Sequence, residues 1–208
     1  MDPFMTHRGI AAPLLLDNVD TDQIIPSREM KQVSKTGLSG GMFSGQRYLY
    51  DGLTRTGENP DFVLNQAGFR QASILLSGKN FGCGSSREHA VWALAEFGFK
   101  VLIAQSFGTI FRNNCVRNGI LPIDLSEKAI QILADQVSQS PATAIVSVDL
   151  EQGEVIAPNG QRFVFDIDPY YRTMLLNGWD FIDLALQREE EINQFCASDK
   201  VWRAWAHL

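Results

Sequence analysis

Cysteine is scarce in this chain: Cys83, Cys115 and Cys196 are the only three in 208 residues. An odd number at wide spacing suggests neither a disulfide framework nor a zinc or iron–sulfur ligand set. There is no run of Lys or Arg, and the formal net charge is −6. Nucleic acid is therefore not an expected partner. No apolar run is long enough to cross a bilayer, so no membrane span is expected. The polar start lacks the apolar core of a signal peptide, which points to the cytoplasm. Internal repeats and low-complexity tracts are absent as well. What remains is a chain with 45% hydrophobic residues, enough for one domain with a sizeable core and room for an appended segment.

One stretch stands out: Asn80-Phe81-Gly82-Cys83-Gly84-Ser85-Ser86-Arg87-Glu88-His89-Ala90. The apolar run at 72–76 before it has the length of a buried strand. After it, Val91, Leu94, Ala95 and Phe97 recur at helical spacing. The stretch is read as strand, glycine turn and helix start. Gly82 and Gly84 permit backbone angles and close approaches that a side chain blocks. Free amides at a helix start favour an anion, and Arg87 adds a fork suited to a carboxylate. Ser85 and Glu88 also have the spacing of a capping box, which accounts for those two residues without any function. It does not account for two glycines, a second serine and an arginine beside them. The turn fails as a nucleotide loop, having neither a Lys-Ser/Thr ending nor a third glycine in register.

Residues 1–4 precede a second methionine, Met5, and residues 1–8 are expected to be a disordered start left by expression. A strand is expected at 9–16, a polar turn at 18–22 and a short helix at 28–35. Residues 36–59 are rich in glycine and read as a long loop, a feature that tends to be functional in a compact domain. From residue 72 the pattern alternates: strand to 77, helix to 97, strand at 100–104, helix at 107–118 ended by Gly119, strand at 120–123, and a helix capped by Ser126. Then come three short strands at 144–149, 154–157 and 162–166, with Asn159-Gly160 as a hairpin turn. Asp168-Pro169 opens a helix, and another runs to about residue 195. The aromatic tail holding Trp202 and Trp205 is expected to pack on the body of the chain rather than on a partner. The expected bounds are 9–195 for the domain and 196–208 for the tail. Periodicity alone reaches a mixed α/β fold.

The motif at 80–90 closely resembles the signature of 3-isopropylmalate dehydratase small subunits, members of the aconitase superfamily. Asn18-Val19-Asp20-Thr21-Asp22-Gln23-Ile24-Ile25-Pro26 resembles the family's second hallmark. The blocks at 59–65, 104–107, 110–114 and 119–122 follow in the family's order. The resemblance runs from about Gly9 to Gln194. It implies a swivelling β/β/α domain like the fourth domain of aconitase. It implies a hydro-lyase that dehydrates 2-isopropylmalate and rehydrates the alkene to 3-isopropylmalate in leucine biosynthesis. A [4Fe–4S] cluster acting as Lewis acid would then sit on a separate large subunit, and this chain would be active only with it.

The same resemblance makes Ser85 the catalytic base, acting as an alkoxide. Ser86 and Arg87 would hold a carboxylate of the dicarboxylate substrate. Asp22 would be the second catalytic residue, orienting a neighbouring histidine or arginine of this chain or of the large subunit; a plain Asx-rich turn through Asp20, Thr21 and Asp22 is the competing account. His89 is given a packing or minor role, and a Cys83 nucleophile lacks a third group. One departure bears on the substrate. Where related chains carry apolar residues after the Ile-Ile-Pro block, this one has Ser27-Arg28-Glu29-Met30-Lys31. An unpaired carboxylate beside an isopropyl group is unfavourable. Either Glu29 turns to solvent and Met30 supplies the apolar wall, or the acid is another substituted malate of the citraconate, dimethylmalate or homoaconitate type. A non-catalytic anion-binding module is the further alternative.

Overall fold

The structure, a computed structural model, describes residues 1–30, 34–84 and 87–207. The chain begins with β1 (Thr6–Leu14) and a short helix α1 (Thr21–Ile24). A 3-10 turn follows at Ser27–Glu29, then α2 (Ser44–Arg47), β2 (Tyr48–Asp51) and β3 (Thr54–Glu58). The regular part comprises β4 (Ile74–Ser77), α3 (His89–Phe97), β5 (Val101–Ala104), α4 (Thr109–Arg117), β6 (Leu121–Asp124) and α5 (Glu127–Gln139). The chain closes with β7 (Ile145–Asp149), β8 (Glu154–Ile156), β9 (Arg162–Val164), α6 (Pro169–Asn177), α7 (Phe181–Leu186) and α8 (Glu189–Trp202).

Seven strands form one sheet in the order β6-β5-β4-β1-β7-β8-β9. β4, β5 and β6 are parallel to their neighbours, and β1 joins β4 in parallel and β7 antiparallel. The two halves carry different burial patterns. Every residue of β4 and β5 is buried, as befits parallel strands covered on both faces and explains their unbroken apolar runs. β7 alternates buried and half-buried residues, the mark of an antiparallel strand covered on one face. α5 covers the sheet with Ala129, Ile130, Leu133, Ala134 and Val137, one stripe at helical spacing. Its N-cap is Ser126, whose Oγ accepts from the Ala129 amide at 3.3 Å.

Several expectations are corrected. Residues 1–8 are not a detached start: Phe4 is buried, its amide donates to the Leu175 carbonyl at 2.7 Å, and β1 starts at Thr6. The interval 36–59 is not a long loop but holds α2 and the β2–β3 hairpin. The overlooked signal is Tyr48-Leu49-Tyr50 before Asp51-Gly52, a strand followed by a turn pair; Gly52 has φ +57°. The helix expected at 28–35 amounts to the Ser27–Glu29 turn within the described residues. The tail does not pack on the body. α7 and α8 have no buried residue, and Trp202 and Trp205 are 86% and 74% exposed.

A half-buried histidine ties β1 to the start of β4. His7 Nε2 lies 2.8 Å from Ser73 Oγ. Burial, and secondarily the charge of Lys100, lowers the His7 pKa below its ordinary value. The unfolded chain therefore takes up this proton before the folded one as pH falls. Stability from this group is complete above about pH 6.5 and is lost below it. Melting curves between pH 7.5 and 5 are expected to show the wild type losing more stability than His7→Gln. Parallel curves would refute the assignment.

Candidate active site

The two hallmark segments lie 60 residues apart in sequence and are zipped together in space. The Asn18 amide donates to the Lys79 carbonyl at 2.8 Å, Gly82 to Val19 at 2.7 Å, and Thr21 to Cys83 at 3.0 Å. Asn80 Nδ2 adds a bond to Asn18 Oδ1 at 2.9 Å. α1 is therefore held against the glycine turn by main-chain bonds. Its own start is fixed by Asp20, whose carboxylate accepts from the Gln23 amide at 2.7 Å. Asp20 thus serves as the N-cap of α1, a bond in which Asp22 takes no part.

Gly82 is required at its position. It has φ +71°, and a Cβ there would stand 2.1 Å from the Phe111 ring. Gly108 is as tightly placed: its Cβ would meet the Gly82 carbonyl oxygen at 2.6 Å. The close approach brings the amino end of α4, with Gly108 as N-cap, onto the turn. Gly82→Ala combines a left-handed backbone with a buried clash, so a loss of about 2–4 kcal/mol is expected. Urea denaturation measures this directly.

Within this frame Arg87 Nη1 donates to Asp22 Oδ1. The side chains are 31% and 54% exposed. An ion pair so wet contributes only about 0–1 kcal/mol to stability. Its value lies in orientation, since the carboxylate fixes the direction of the guanidinium fork. Asp22 had been expected to orient a neighbouring histidine or arginine, possibly of the large subunit; in the structure its carboxylate accepts from Arg87 of the same chain.

Ser85 and Ser86 lie outside the described residues. Glu88, the other half of the suspected capping box, is the N-cap of α3 without a side-chain cap bond, and its Oε1 accepts from Asn118 Nδ2 at 2.8 Å. His89 packs its ring on Trp92 at a centroid distance of 4.8 Å, a packing role. Met30 is half-buried against the core. Glu29 neither points freely to solvent nor stands unpaired: Arg55 and Arg28 approach its Oε1 at 3.4 and 3.5 Å.

The sequence reading missed the amino end of α4. Gly82, Cys83, Gly84, Gly108, Thr109, Ile110 and Phe111 line a cavity of about 260 Å³, so the first α4 amides border the glycine turn. The available signal was Gly108 directly before a helical run, but nothing local told which loop it faced. Asn113 accepts from Tyr171 Oη, and Arg117 lies over the Phe181 ring. Asn114 is buried.

The donors for an iron–sulfur cluster do not come together. Among the described residues, no group of three His, Cys, Asp or Glu side chains is placed to hold a metal. Cys115 is fully buried, and burial pushes its thiol well up from the ordinary range. Cys83 sits in the glycine turn and Cys196 on exposed α8.

Sheet order, the glycine turn and the Asp22–Arg87 pair accord with a C-terminal domain of the aconitase superfamily. The model of the aconitase C-terminal domain matches residues 1–128, and that of LeuD_N matches 131–169. The chain belongs to the family of 3-isopropylmalate dehydratase small subunits, components of a hydro-lyase. The small subunit from Cupriavidus necator is 54% identical over 208 residues, covering 100% of this chain and 99% of that one. That from Rhodopseudomonas palustris strain BisB18 is 48% identical, covering 99% and 100%. The crystal structure of 3-isopropylmalate dehydratase from Methanocaldococcus jannaschii superposes with a TM-score of 0.64 at 26% identity, covering 91% of this chain and 99% of that one. A small subunit implies a large one, and superfamily membership points to a [4Fe–4S] cluster somewhere in the enzyme. No helix among the described residues is long and apolar enough to cross a membrane.

Proposed function

We propose that this chain supplies the proton-handling half of an isopropylmalate isomerase acting in leucine biosynthesis. The [4Fe–4S] cluster is assigned to the large subunit, a reading supported by the scattered cysteines of this chain. The reaction removes a proton alpha to a carboxylate together with a hydroxide, then adds water back in the opposite sense. Such a proton is weakly acidic, so the base must be strong and the substrate firmly placed.

Ser85 is the base, and it takes the proton on its side-chain oxygen. Ser86 and Arg87 hold a substrate carboxylate, Asp22 sets the direction of Arg87, and Met30 offers apolar surface to the alkyl group. The observation that carries the reading is the Asp22–Arg87 bond, which unites both hallmark segments at one point. Pairing of Glu29 with Arg55 supports the isopropyl substrate, since it answers the objection of an unpaired carboxylate. The chain acts in the cytoplasm.

The test is anaerobic reconstitution with a cluster-loaded large subunit, following alkene absorbance with 2-isopropylmalate, citraconate and dimethylmalate in parallel. Preference for 2-isopropylmalate is expected. Preference for another acid would keep the chemistry and change the pathway. No turnover in an assembled, loaded complex would favour the anion-binding module.

A further inference from the structure

A polar cluster away from the glycine turn holds the helix start that follows Arg87. Asn118 is the C-cap of α4, and its side chain meets three groups. Its Nδ2 donates to Glu88 Oε1 and to the Asn114 carbonyl, both at 2.8 Å. Its Oδ1 accepts from Trp92 Nε1 at 3.1 Å. The amide thus uses both its donors and its acceptor. Asn118, Glu88 and Trp92 are all half-buried, a setting in which hydrogen bonds strengthen one another and act as a unit.

The Asn118 end of this clamp is firmly anchored. Its main-chain amide donates to the Asn114 and Cys115 carbonyls at 3.1 Å, and the Ile120 amide donates to Cys115 at 2.9 Å. Asn114, Cys115 and Val116 are buried, and Leu121 opens β6. The Glu88 end lies beside the candidate site. Glu88 directly follows Arg87, whose carbonyl accepts from the Ala90 amide at 3.3 Å, so Arg87 shares the first turn of α3. A carboxylate at a helix start is ordinarily drawn to the free amides there. Glu88 makes no such cap bond and is directed to the end of α4 instead. The two ends of α4 therefore hold two parts of the site. At one end the Gly108 amide donates to the Phe81 carbonyl at 2.9 Å, against the glycine turn; at the other, Asn118 holds the start of α3.

We propose that Asn118 and Glu88 are positioning residues for the reaction: their hydrogen bond sets the place of the first turn of α3, and through it the aim of the Arg87 guanidinium. The inference rests on the hydro-lyase reading above, in which Arg87 holds a substrate carboxylate. Glu88 serves as a hydrogen-bond acceptor rather than as a charge, so glutamine can replace it and alanine cannot. Asn118→Asp sets two carboxylates face to face. Adding Glu88→Gln reverses the bond, because the glutamine amide then donates to the new carboxylate.

These variants are tested in the full chain reconstituted with its large subunit. In Glu88→Ala and Asn118→Asp, kcat/KM for 2-isopropylmalate is expected to fall about tenfold, the effect of a small misplacement of a binding group. In Glu88→Gln and in the double variant it is expected to stay within about twofold of wild type, with subunit affinity unchanged in all four. Unchanged kcat/KM in Glu88→Ala would overturn the proposal. Equal losses in Glu88→Ala and Glu88→Gln would also overturn it, as would a loss in Asn118→Asp that the second change does not relieve. A direct readout of positioning is nitrogen-15 relaxation of the Arg87 Nε–H group in the full chain without its partner. Its order parameter is expected to fall in Glu88→Ala and to hold in Glu88→Gln; an Arg87 equally ordered in both overturns the proposal. This measurement needs no turnover. It therefore decides even where the wild-type complex accepts none of the acids, an outcome that counts against the hydro-lyase reading itself.

Discussion

Ser85→Ala is expected to lower turnover by about 10²–10⁴-fold, the range for removing a positioned acid–base group. KM for 2-isopropylmalate and the affinity for the large subunit are expected to stay within a few-fold. The reasoning is differential. The hydroxyl is a small part of the substrate's contacts, while the proton has nowhere else to go. A serine hydroxyl is a weak acid, and its activation depends on positive charge and oriented donors close by. The described surroundings contain such groups: Arg87 and the amino end of α4 border the same turn. Ser85→Cys is the informative companion, because a thiolate forms at lower pH and would shift the acidic limb of the pH–rate profile. Near-wild-type turnover in Ser85→Ala would remove the base from this chain.

Arg87→Lys is expected to reduce kcat/KM by about 10²-fold while changing the melting temperature little. Lysine keeps the charge but loses the planar fork that binds a carboxylate through two parallel bonds. Little stability is at stake, because exposed pairs of this kind contribute about 0–1 kcal/mol. Asp22→Asn separates orientation from charge. It leaves Arg87 cationic but holds it less firmly, so a smaller loss, about tenfold in kcat/KM, is expected. A large fall in stability with intact kinetics would mark the pair as structural. Equal losses in Asp22→Asn and in the double variant would show the two residues acting as one unit.

Much of the fold was legible where local chemistry and tertiary environment agree. The buried runs of β4 and β5, the Ser126 cap of α5, the Asn159-Gly160 turn and the Asp168-Pro169 helix start are local signals, and the structure keeps them. The β2–β3 hairpin was lost because many glycines in 36–59 outweighed the short aromatic strand before Asp51-Gly52. The tail was misjudged for another reason. Trp202 and Trp205 carry an apolar composition, but composition cannot tell which surface is within reach, and α8 lies along none of the core.

The candidate site divides in the same way. Arg87, Asp22 and the glycines were identifiable from residue type and order, since their chemistry is intrinsic to the side chains. That Asp22 meets Arg87, that α4 starts at the glycine turn, and that Glu29 is neutralised by Arg55 across 26 residues were not. By itself the sequence determined which groups are available for proton transfer and carboxylate binding, and which segments become strands and helices. Only the tertiary structure decided which groups face each other. Those contacts depend on the register with which β1 enters between β4 and β7, and register is a property of the assembled sheet, carried by no single segment.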